Sequence, residues 1–81
     1  MRGGLKPSVL EELLRHGIHP GDGEDEATVR ERLNDVYLVE VRELRERQRR
    51  GEIPKRDYAR HVEALRERFP LLGLPLHLWR E

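Results

Sequence analysis

The sequence predicts an all-α fold: a short helix, an antiparallel helical hairpin, and an ordered, extended apolar tail at the C-terminus. Three observations predict it. Apolar residues recur at helical spacing on both sides of Gly51, across residues 29–69. The stretches flanking that glycine are rich in Glu, Arg and Leu, all good helix formers. Proline and glycine fall where these helices must begin and end.

The first helix is expected over about residues 8–16. Ser8 with Glu11 has the spacing of a capping box, in which each side chain satisfies a backbone N–H at the helix start. Val9, Leu10, Leu13 and Leu14 form its apolar side, and Gly17 is its stop. Residues 1–7 precede it and are expected to be loose. So short a helix is not stable alone and must pack on the hairpin. Residues 19–24 follow as a loop. Gly21 and Gly23 have neither the preceding strand nor the following lysine of a phosphate-binding loop. Asp22, Glu24, Asp25 and Glu26 stand just before the next helix, where the helix dipole favours negative charge.

The long helix is expected over residues 25–50, with Thr28 and Glu31 as a capping box and Asp25 as a rival N-cap. Val29, Leu33, Val36, Tyr37, Val41 and Leu44 fall on one side of it at 100° per residue. Leu38 lies roughly opposite that stripe and Val39 is also off it. The run Val36–Val39 suits a strand as well, but the flanks are strongly helical. Leu38 and Val39 therefore need cover from the first helix, the tail or a second copy of the protein. Glu40 falls within the apolar arc and needs a cationic or hydrogen-bonding partner, with His61 and Arg47 as candidates, unless the helix is rotated slightly so that Glu40 reaches water.

Gly51 supplies the left-handed residue that ends the long helix. The third helix is expected over residues 54–69, with Pro54 at its first position and Pro70 closing it. Tyr58, Val62, Leu65 and Phe69 make its apolar stripe. The short link forces the two arms to lie antiparallel and adjacent. Gly51, Ile53, Asp57, Tyr58 and Leu65, with Leu44 upstream, resemble the pattern of the SHOCT family, a small C-terminal helical hairpin. The resemblance spans about a quarter of the chain. Pro54, Lys55, Arg56 and Arg47 depart from the family's usual residues. The resemblance implies a hairpin and a role in association or attachment, and it transfers no catalytic residues.

In the tail, residues 70–81, Leu72, Leu74, Leu76 and Leu78 alternate, which would place them on one side of an extended segment. Leu71 and Trp79 add to an apolar content too high for a free end, and a short final helical turn from Leu76 is the alternative to extension there. The tail is expected to lie across the hairpin and complete the core, with docking into a neighbour as the alternative.

Composition narrows the function. Eighty-one residues make one small domain with a thin core. No cysteine is present to reinforce it. Ser8 and Thr28 are the only Ser and Thr, and both are better placed as caps than as nucleophiles. The chain is therefore not expected to be an enzyme, and no cofactor is expected. His16, His19 and Asp22 have ligand chemistry but straddle a helix stop, so no metal site is expected. His61 is expected to pack at the edge of the third helix, and His77 to point outward. No stretch approaches the roughly 20 apolar residues of a membrane span, and no signal peptide is evident, so a cytoplasmic location is expected. Arg accounts for fourteen of the sixteen cations, and Asn and Gln occur once each. Both features suit a thermophile, and a GC-rich genome would give the same Arg excess.

Two function classes remain. The first is a protein–protein interaction module, a homodimer or a binder of a larger protein, with Leu38, Val39, Leu76, Leu78 and Trp79 as its surface. The second is nucleic-acid binding. Residues 1–41 hold five cations and nine anions, whereas residues 42–60 hold eight and four. The bend is thus a basic end, and Arg47, Arg49, Arg50, Lys55, Arg56 and Arg60 are its candidate phosphate contacts. The same asymmetry would also match a basic bend to the acidic loop of another subunit.

Overall fold

The computed structural model describes residues 4–81. It contains α1 (Pro7–Arg15), α2 (Glu26–Arg49) and α3 (Tyr58–Glu67). Three 3₁₀ turns accompany them: Lys55–Asp57 before α3, then Pro70–Gly73 and Leu76–Leu78 in the tail. The residues Met1 to Gly3, part of the segment expected to be loose, lie outside the described residues.

α2 is the spine. Its 24 residues extend about 36 Å at 1.5 Å per residue, along a molecule measuring 52 × 17 × 17 Å. α3 folds back on its C-terminal part as the expected antiparallel hairpin. The pairing descends in order, with Tyr37 against Phe69 and Glu40 against Arg68. Val36–Val39 is helical throughout.

The helix ends follow local chemistry, with some shifts. α1 starts one residue earlier than expected, because Pro7 occupies its first position and Lys6 caps it in extended geometry. Ser8 therefore lies inside the helix and makes no cap. Asp25, not Thr28, caps α2: its Oδ1 accepts the Thr28 N–H at 2.8 Å. α1 and α2 end alike. Gly17 (φ 78°) and Gly51 (φ 83°) take the left-handed conformation. The following N–H then donates back to the third-last carbonyl: Ile18 to Leu13 and Glu52 to Arg47, both at 2.9 Å. Pro54 is extended and precedes a 3₁₀ turn, so α3 proper starts four residues later than predicted.

The core is Val9, Leu13, Ile18, Val29, Leu33, Leu65, Phe69, Leu71 and Trp79. It sits where α1, the N-terminal half of α2, the end of α3 and the tail converge. Ile53 is buried separately at the bend. α1 contributes only Val9 and Leu13. Leu10 and Leu14, placed on its apolar side from sequence, are exposed.

The tail docks in cis, as expected, but the expected alternation fails, and the alternative of a short final turn from Leu76 is what forms. Leu71 and Trp79 are buried, Leu72, Leu74 and Leu76 are half-buried, and Leu78 is exposed. Its two 3₁₀ turns advance three residues per turn, which breaks a period of two. Arg30 donates to the Leu72 carbonyl at 2.8 Å, and Trp79 Nε1–H donates to the Leu74 carbonyl at 3.2 Å. Arg80 pairs with Glu26 at 2.8 Å. Leu5 and Arg80 form an antiparallel bridge, with Lys6 N–H donating to Trp79 O at 2.9 Å and Glu81 N–H to Gly4 O at 3.1 Å. Residues 5–7 are therefore held rather than loose. Among the described residues, no helix is long and apolar enough to cross a membrane.

Candidate interaction surface

Helical geometry gives α2 two faces. Its inner face carries Val29 and Leu33 into the core, with Val36, Tyr37, Val41 and Leu44 packed against it. Leu38 and Val39 project from the outer face, midway along the helix. They remain 41% and 50% exposed, so neither α1 nor the tail covers them. One turn toward the N-terminus, a groove lined by Ala27, Glu31, Asn34, Leu72 and Leu76 continues along the same side. Leu76 is thus half-buried at the groove wall. Leu78 is exposed on the tail. Trp79 leaves the predicted surface altogether, because it is fully enclosed in the core. An indole that closes the core in its own chain is not available to a partner.

The basic bend is less free than its sequence suggests. Arg50 and Arg47 both pair with Glu52, at 2.8 and 3.4 Å. Arg49 pairs with Glu46 at 3.1 Å, and Arg60 approaches Asp57 at 3.8 Å. Only Lys55 and Arg56 of the six predicted contacts have no ion-pair partner among the described residues.

Glu40 is half-buried and pairs with Arg68 at 2.9 Å, rather than with His61 or Arg47. The pair links α2 to the end of α3 at the surface. His61 is exposed. His16 does not join His19. Its ring stacks on Phe69 at 4.1 Å, and Nε2–H donates to the Arg68 carbonyl at 2.7 Å. That contact links α1 to the end of α3, and sequence reasoning missed it. An imidazole just ahead of a helix-ending glycine was the available signal. Among the described residues, no three His, Asp or Glu side chains converge as a metal site would require.

Two carboxylates have lowered pKa values. The Thr28 N–H donated to Asp25 stabilises its ionised form below the ordinary 3.8. The Arg50 hydrogen bond and charge, with a smaller share from Arg47, do the same for Glu52 below 4.5. Depressed values mean that the folded chain binds fewer protons than the unfolded one in this range. The stabilisation is complete above these ordinary values and is lost as pH falls through the lowered ones. These two groups should therefore add no pH dependence to thermal melts from neutrality down to about pH 5 and a loss below it. The double substitution Asp25→Asn, Glu52→Gln should make that acid drop shallower. An unchanged acid limb in the double variant would remove these groups as its cause.

Comparison of the chain with family models, with curated proteins and with solved structures gives no match.

Proposed function

We propose that this protein is a small, non-catalytic, cytoplasmic self-association module that pairs as a homodimer through the outer face of α2. The observation that carries the reading is the exposure of Leu38 and Val39, adjacent and central on the longest helix. Burying such a side chain fully is worth about 1.5–3 kcal/mol, and with 41% and 50% of the two still exposed, roughly half of that per residue remains as an incentive to associate. The association role implied by the SHOCT resemblance points the same way, and a core this small gains from a partner.

Nucleic-acid binding through the bend has less behind it. Four of its six candidate cations already face carboxylates in the same chain, and those pairs would have to open before phosphate could replace them.

Light scattering at roughly tens of micromolar, a concentration at which a micromolar Kd is largely saturated, should give twice the chain mass. Leu38→Glu should return the monomer mass with the helical far-UV circular dichroism retained, because Leu38 lies outside the monomer core; its thermal midpoint should fall only by the stabilisation the dimer gave. A wild-type monomer at that concentration would overturn the dimer.

A further inference from the structure

We propose that the two copies pair antiparallel along α2, about a two-fold axis lying between Leu38 and Val39. This rests on the self-association reading above and adds its geometry. A stable interface takes about 800 Å² from each partner. Two side chains cannot supply that, whereas the 52 × 17 Å long side of the molecule can. The partner must therefore lie along α2 rather than touch it at a point.

The charges on that side decide the direction. At 100° per residue, Arg42 lies about 180° from the core-facing Leu33, with Glu31 and Asp35 within about 20° of it. Leu38 and Val39 flank the same line, and Arg45 lies on the Leu38 side. Toward the N-terminus from the apolar pair the line carries Glu31 and Asp35, and toward the C-terminus it carries Arg42 and Arg45, followed by Glu46 and Arg49, which neutralise each other. Glu31, Asp35, Arg42 and Arg45 are exposed. The eight ion pairs among the described residues use none of them. A parallel pair of copies would set acid beside acid and base beside base, which is unfavourable. An antiparallel pair sets Asp35 level with the second copy's Arg42; Glu31 comes level with its Glu46, already neutralised by Arg49, and lies one residue from its Arg45. Leu38 then meets its own counterpart on one flank of the axis and Val39 meets its own on the other. The acidic half of each chain also faces the basic bend of its neighbour.

The chain has no cysteine, so engineered thiols report this register directly. Asp35→Cys and Arg42→Cys are both exposed on α2 and leave the monomer core untouched. In the antiparallel register the two copies of position 35 stand about 10 Å apart along the axis, whereas position 35 is level with position 42 of the other chain. A 1:1 mixture of the two variants under mild oxidation should give roughly tenfold more covalent dimer than either variant alone, since a disulfide needs Cα atoms within about 7 Å. Mass spectrometry should find one chain of each kind in that product. If each variant cross-links with itself as readily as in the mixture while the wild type remains dimeric, the antiparallel register is wrong and self-association stands. If the wild type is monomeric at the same concentration, both fail, and the outer face is left to a helix of a different protein.

Discussion

Replacing Trp79 with alanine should leave much of the protein unfolded at room temperature. The indole is fully enclosed and is the largest side chain in the core. Removing so large a buried side chain typically costs about 3–5 kcal/mol, part lost transfer energy and part residual cavity. Whole domains are stable by only about 5–15 kcal/mol, and a small core belongs at the lower end. The substitution also removes the Nε1–H bond to the Leu74 carbonyl and strands that acceptor. Because Trp79 is the only tryptophan, unfolding must be followed by far-UV circular dichroism rather than fluorescence. Trp79→Phe should retain most of the packing and lose the hydrogen bond, for a smaller drop in urea midpoint. A wild-type midpoint in Trp79→Ala would mean that the tail does not dock on its own chain.

The second large effect is expected at Phe69, where α1, α2 and α3 meet. Its ring stacks on His16 at 4.1 Å and meets Tyr37 edge-on at 5.4 Å. Phe69→Ala should cost about 3–5 kcal/mol, whereas Phe69→Leu, which nearly conserves volume, should cost less than about 1.5 kcal/mol. Urea denaturation of the pair separates packing volume from aromatic geometry: equal midpoints would mean that the cavity does not matter. Trp79 and Phe69 belong to one cluster, so the double alanine variant should fall short of the sum of the single losses.

The helical plan was legible because its signals are local. The stripe from Val29 to Leu44 needs only its own spacing, and Gly51 needs only a left-handed turn. Asp25 was visible as a cap but not separable from Thr28, since both have cap chemistry and the choice depends on where the backbone turns. Errors grew with distance along the chain. The partner of Glu40 is 28 residues away, and nothing in the sequence ranks Arg68 above Arg47 for it. The tail misled for a different reason. Its leucines alternate, but Pro70 and Pro75 precede or begin 3₁₀ turns. Trp79 and Leu71 thereby enter the core in place of Leu78. The solvent-facing pair was legible because Leu38 and Val39 violate the stripe whatever they touch. Leu10 and Leu14 were misjudged because a short helix shows only one narrow side to its neighbour.

The bridge between Leu5 and Arg80 joins positions almost as far apart as the chain allows. The entropy lost on closing a loop rises only logarithmically with its length. What matters is how much of that loop is still free when it closes. If the hairpin forms first, from contacts close in sequence, it replaces most of the intervening freedom with a rigid rod and carries the tail toward α1. The terminal clasp should then close last on the way to the native state and open first on the way out.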